Sequence, residues 1–119
     1  SDASGYSSNA FGGFARALGT RTTALGGGAY AVGAGCTAVG IDSVCSGVKS
    51  NSFGVYARSL GKGSAAIGGY STALGDYSTA LGAYSNAFGQ FSNALGAYAW
   101  AAGDFSSATG AYATALGAR

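Results

Sequence analysis

Proline, histidine, methionine and glutamate are all absent from this 119-residue chain, and only 8% of its residues are charged. Each absence removes a class of answers. Without histidine, no Ser-His-Asp or Cys-His constellation can form. Without proline, a collagen helix is excluded, since that helix wants proline and a glycine at every third position. Six Lys or Arg against four Asp give a net charge of +2, too weak and too scattered for a nucleic-acid footprint. No apolar run approaches the roughly 18 residues that a membrane helix needs, so no direct membrane contact is expected. No signal peptide is present, and the chain therefore reads as a fragment of a longer protein. Nothing in it calls for a cofactor. What the chain does have is glycine, 23 residues of it, together with 48% hydrophobic and 13% aromatic residues. The glycine alone would suit a disordered tract; the aromatics would not, so the meaning lies in the order of the residues.

That order is a seven-residue clock. From Gly5 through Gly12, Gly19 and Gly26 to Gly117, every seventh residue is glycine, seventeen in all, without an insertion or deletion. The residue two before the glycine is Ala in fourteen of the seventeen cases, the exceptions being Cys45, Ser52 and Ser59. The residue just before it is usually Leu, Phe, Val or Ile. A coiled coil is excluded: glycine at each heptad costs a helix about 1 kcal/mol, and no second apolar seam accompanies it. Short strands of about four or five residues, each closed by a glycine turn, fit, with glycine expected to supply the positive φ of each turn.

A longer period lies inside the first. The residue three before the glycine alternates between a small, uniform set (Asn9, Thr23, Thr37, Asn51, Ala65, Thr79, Asn93, Ser107) and a varied, bulkier one (Arg16, Tyr30, Val44, Arg58, Thr72, Asn86, Trp100, Thr114). The unit is therefore fourteen residues, two strands and two turns per coil. About eight and a half such coils, stacked at ~4.8 Å, predict a rod ~40 Å long.

Alternation of side chains along a strand puts Ser and Ala on one face and the variable residue and Leu on the other. A roll with two strands per coil has a thin interior, so the small face is placed inside and the large apolar residues outside. Leu18, Leu25, Val39, Phe53, Ile67, Leu81 and Leu95 would then form a patch larger than soluble monomers tolerate. Burying each such side chain is worth about 1.5–3 kcal/mol, so self-association is expected. The Thr/Asn strand suits the interface and the variable strand suits solvent. Periodicity does not fix the number of copies.

The stretch YSTALGDYSTALGAYSNAFG (70–89) closely resembles the head repeat of YadA-like trimeric autotransporter adhesins, a likeness that covers nearly the whole chain and weakens across IDSVCSGVKSNS (41–52). The resemblance implies an all-β, left-handed parallel β-roll with about 14 residues per coil, one head domain spanning residues 1–119 and a homotrimer. It further implies display on the bacterial surface, held in the outer membrane by a stalk and anchor outside this sequence, and ligands among matrix proteins such as collagen, fibronectin or laminin, or autoagglutination. No individual binding residue is carried over.

Few residues could do chemistry, and no enzyme is expected. Asp76 and Asp104 share a turn position two coils apart, but read as solvated turn residues, with a Lys62–Asp76 pair, rather than as glycosidase carboxylates or calcium ligands. Cys36 and Cys45 fall on the interior face of consecutive strands in one coil, which predicts an intrachain disulfide on an oxidising surface; buried free thiols are the alternative. The in-phase aromatics Tyr56, Tyr70, Tyr77, Tyr84, Tyr98 and Tyr112, with Phe91 and Phe105 among them, are expected to stack along a solenoid edge, cover turns and contribute packing; a binding stripe is the alternative. Arg16, Tyr30, Arg58 and Trp100 are the contact candidates, being of the types enriched in interface hot spots. A structural spacer is the rival function, and ice binding through the Thr row a third, disfavoured by the interruptions at Asn51 and Ala65.

Overall fold

The computed structural model describes residues 1–117. Two sets of strands alternate along the chain. Two-residue strands, from Asp2–Ala3 and Arg16–Ala17 through to Thr114–Ala115, stack into a nine-stranded sheet; three-residue strands, from Asn9–Phe11 to Ser107–Thr109, stack into an eight-stranded one. Every pairing is parallel and offset by fourteen residues, as in Thr79↔Asn93 and Leu81↔Leu95 or Thr72↔Asn86. The result is a parallel β-solenoid of about eight turns measuring 41 × 20 × 11 Å, in agreement with the expected rod length.

The shortest dimension explains the composition. Two sheets packed face to face normally stand about 10 Å apart with large side chains between them; here the whole slab, both backbones included, is 11 Å thick. Among the described residues, the fully buried side chains are those of Ala, Ser, Thr and Cys, including Ala73, Ala80, Ala87, Ala94, Ser78, Ser85 and Ser92. A buried hydroxyl needs a partner, and the turn supplies one: Ser78 Oγ donates to the carbonyl of Gly75 at 2.7 Å, and Ser92 Oγ to that of Gly89 at 2.7 Å. The large apolar side chains point outward, with Leu25, Phe53 and Ile67 exposed.

The glycine clock has a different cause from the one expected. Only alternate clock glycines have positive φ; Gly82 does (+124°) and Gly75 does not. What both share is close approach to the next coil. A Cβ on Gly82 would lie 2.7 Å from the carbonyl carbon of Gly96, and one on Gly75 would overlap the carbonyl of Gly89. The columns of glycine are where backbone stacks on backbone. The left-handed turn residue lies two positions later and is usually aromatic: Tyr77 and Tyr84 have φ of 60° and 63°.

The core is not uniform. One alanine cluster runs from Ala15 to Cys45 and a second from Ala57 to Ala108. Between them the alanine position is taken by Cys45, Ser52 and Ser59, which bond across the interior: Ser52 Oγ to the Ala57 carbonyl at 2.7 Å, and Ser59 Oγ with Ser64 Oγ at 2.6 Å. A hydrogen-bonded belt replaces apolar packing there.

Candidate functional site: the outer faces and edges of the roll

Because the interior is filled, any function resides on two broad faces and two narrow edges. The nine-stranded face carries the variable residues as one column, in register from Arg16 through Tyr30, Val44, Arg58, Thr72 and Asn86 to Trp100. Three of the four contact candidates thus sit within four adjacent strands: the Arg16 guanidinium lies 5.4 Å from the centroid of the Tyr30 ring, and Arg58 is two strands further on. Trp100 stands apart, three strands beyond Arg58, its indole edge-on to Phe88 at 5.5 Å between centroids.

The eight-stranded face presents the small Asn/Thr column beside an unbroken row of Leu25, Val39, Phe53, Ile67, Leu81 and Leu95, each paired in register with the next. Leu18, grouped with these on sequence grounds, precedes Gly19 at the end of Arg16–Ala17 and so belongs to the nine-stranded sheet. None of the row is enclosed within the chain, as the narrow interior requires.

The aromatics form two columns rather than one. Turns leading from the eight- to the nine-stranded sheet carry Tyr56, Tyr70, Tyr84, Tyr98 and Tyr112, stacked at 4.9–5.0 Å. The opposite edge carries Tyr77, Phe91 and Phe105, stacked at 5.2 Å. Residues seven apart fall on opposite edges and only residues fourteen apart share one, a distinction the heptad hides. Each ring occupies a left-handed backbone position that costs an L-residue roughly 1–2 kcal/mol; stacking on the rings above and below offsets this.

The second edge also carries a charge pattern that sequence reasoning missed. The turn position held by Tyr77, Phe91 and Phe105 is occupied, coil by coil below them, by Arg21, Gly35, Lys49 and Gly63, with Lys62 adjoining. A shallow cavity of about 250 Å³ opens over Gly35 between Arg21 and Lys49. Fourteen-residue spacing was the signal available for it. Asp76 and Asp104 lie on the same edge. In place of a Lys62–Asp76 ion pair, the Asp76 carboxylate accepts from the backbone N–H of Lys62 at 3.0 Å, and Asp104 accepts likewise from Gln90 at 2.9 Å. Each aspartate caps the coil before it.

Cys36 and Cys45 do face each other across one coil, but as free buried thiols rather than as a cystine. The Cys36 thiol donates to the carbonyl oxygen of Cys45 at 3.0 Å, and the Cys45 sulfur lies 2.9 Å from Ser50 Oγ. A hydrogen bond between the two side chains, reinforced by burial, pushes the Cys36 thiol well above the usual range. The same bond stabilises a Cys45 thiolate and, with help from Ser50, draws Cys45 down against the opposing effect of burial. The pair titrates as a unit. Among the described residues, no group of three or more His, Cys, Asp or Glu could hold a metal ion.

The family model described as the YadA head domain repeat (2 copies) matches residues 3–29, 59–85 and 94–119. Its longest gap, residues 30–58, contains both cysteines and Ser52 of the hydrogen-bonded belt. No curated protein matches the chain.

Proposed function

Because the chain belongs to the YadA head family, whose members are adhesin heads of the bacterial outer-membrane surface rather than enzymes, we propose that residues 1–119 form one head unit that assembles as a homotrimer and attaches the cell to matrix proteins such as collagen, fibronectin or laminin. The observation that carries this reading is the division of labour between the two broad faces. The eight-stranded face combines small polar residues with a continuous apolar row. At 41 by 20 Å it is of the size, about 800 Å² per partner, that stable interfaces bury. Its burial against two further copies leaves the nine-stranded face outward, with Arg16, Tyr30, Arg58 and Trp100 in one column beside the tyrosine edge. Stalk and anchor lie in parts of the protein outside this sequence.

A solid-phase screen of the assembled head against collagen, fibronectin, laminin and itself tests the proposal. Binding to at least one surface, lost when Arg16, Arg58 and Trp100 are replaced together by Ala, is the expected result. Adhesion that survives the triple substitution favours the second reading, a spacer that holds a more distal tip away from the membrane.

A further inference from the structure

On the tyrosine edge every phenol has another phenol as its neighbour. Tyr56, Tyr70, Tyr84, Tyr98 and Tyr112 all occupy left-handed backbone positions with φ between 60° and 63°, so their side chains leave successive coils in one direction. The rings stack at 4.9–5.0 Å, and the last four are parallel to within 4°. Each is at least 44% exposed, so the column is open to solvent along its outer side. Little else on the chain competes for an oxidant. Methionine and histidine are absent, and the two cysteines are buried. Tyr77, on the opposite edge, stacks on Phe91 and lies against Gly63, neither of which carries a phenol.

We propose that the tyrosine column is an oxidative modification site, at which hydrogen peroxide activated by a haem peroxidase joins tyrosines of adjacent coils as dityrosine. Two phenols each lose one electron and one proton; one peroxide molecule takes up both electrons and both protons and leaves as two waters. The unpaired electron of each phenoxyl radical resides partly on Cε, the carbon beside the one that bears the oxygen. One bond forms between two such carbons, and the hydrogens they carried move to the phenol oxygens. Coupling in solution waits for two scarce radicals to meet. Here the partner ring is already in place one coil away, and rotation of a half-exposed side chain replaces diffusion. With each ring used once, five rings form at most two bridges. A bridge across fourteen residues restricts the unfolded chain as a disulfide does, in a fold where each coil is held by its neighbours alone. Oxidation thus fastens the roll coil to coil along one edge.

Treatment of the full chain with a plant haem peroxidase and hydrogen peroxide tests this. Expected are dityrosine fluorescence, single chains that have lost two or four hydrogens, and a thermal midpoint raised by at least about 4 °C. Reduction after treatment removes any contribution from Cys36 and Cys45. Cleavage before aspartate then gives fragments 42–75, 76–103 and 104–119. A Tyr70–Tyr84 bridge joins the first two, and a Tyr98–Tyr112 bridge joins the last two. Tyr84→Phe keeps a ring in the stack but removes its phenol. It is expected to abolish the link between 42–75 and 76–103 and to preserve the link between 76–103 and 104–119, whereas Tyr77→Phe is expected to change neither. Absence of dityrosine overturns the proposal, as do bridges formed only between separate chains or running through Tyr6, Tyr30 or Tyr77. The same distribution of bridges in the urea-unfolded chain overturns it too, since the stack would then contribute nothing. Coupling on this edge is independent of what the broad faces bind, and matrix binding by both variants remains as in the unmodified head.

Discussion

The thiol of Cys36 donates a hydrogen bond to the carbonyl oxygen of Cys45, 3.0 Å away across the interior of a single coil. Both sulfurs occupy positions that hold Ser or Ala in most other coils, so the pair sits in a space cut for side chains of its size and touches no solvent. That placement fixes how the two thiols react with oxidant and with base.

Oxidation is expected to close them into a disulfide. A small disulfide such as oxidised glutathione accepts the two electrons; the cysteines lose two hydrogens, and two molecules of the reduced thiol leave. Intact mass after such treatment is expected to fall by two hydrogens with no adduct retained, and the thermal midpoint is expected to rise, since a loop of this length stabilises by about 2–3 kcal/mol. Unchanged mass after prolonged treatment under conditions that allow local opening would refute it.

Alkaline pH is expected to destabilise the reduced protein. In the unfolded chain both thiols ionise near pH 8.5, whereas the folded coil keeps the Cys36 proton because the group is shifted upward. A folded state that holds the extra proton loses stability as pH rises above the unfolded value, at about 1.4 kcal/mol per pH unit for one proton. The lowered Cys45 works in the opposite sense while the unfolded thiol is still ionising, so the full slope is reached only about one pH unit above the unfolded value. Urea unfolding at rising pH above about 9 is expected to show this fall in the reduced protein and to lose it in Cys36→Ser.

Gly82→Ala and Gly13→Ala separate the two roles of glycine. A Cβ at Gly82 meets the backbone of the next coil at 2.7 Å, and φ there is +124°; a Cβ at Gly13 meets nothing within 4 Å and φ is not positive. Thermal melts are expected to show Gly82→Ala destabilised by more than about 3 kcal/mol, a cost set by backbone strain and coil separation together. Gly13→Ala is expected to lie within about 1 kcal/mol of the unmodified chain, toward greater stability.

Ile67→Asn tests the assembly face. Ile67 sits mid-row between Phe53 and Leu81 on the eight-stranded sheet and is exposed in the single chain. The monomer fold is expected to tolerate the change, while burial of an amide in an apolar interface costs about 1–3 kcal/mol per copy. Sedimentation is expected to shift toward monomer at low concentration; an unchanged oligomer would move the interface to another face.

Inside and outside were legible because a slab 11 Å thick admits only small side chains, and the chain declares this by keeping Ala, Ser, Thr or Cys at the two inward positions of every heptad. The cause of the glycine columns was not legible. A glycine kept for positive φ and a glycine kept because another backbone presses on it are the same letter, and Gly75 differs from Gly82 only in a torsion angle. The aromatic stripe misled for a related reason: Tyr77 and Tyr84 obey one heptad rule yet lie on opposite edges.

Coil length, rod length and the outward direction of Leu25, Ile67 and Leu81 were determined by the sequence itself, because they follow from local periodicity and side-chain volume; the strands, of two or three residues, are shorter than the glycine spacing suggests, because the turns take the rest of each heptad. Which residues become neighbours across coils was decided only in three dimensions. Arg21, Lys49, Asp76 and Asp104 are 28, 27 and 28 residues apart in turn, and no local rule connects them. Parallel stacking at a constant fourteen-residue register turns those separations into a single edge with one pattern of charge.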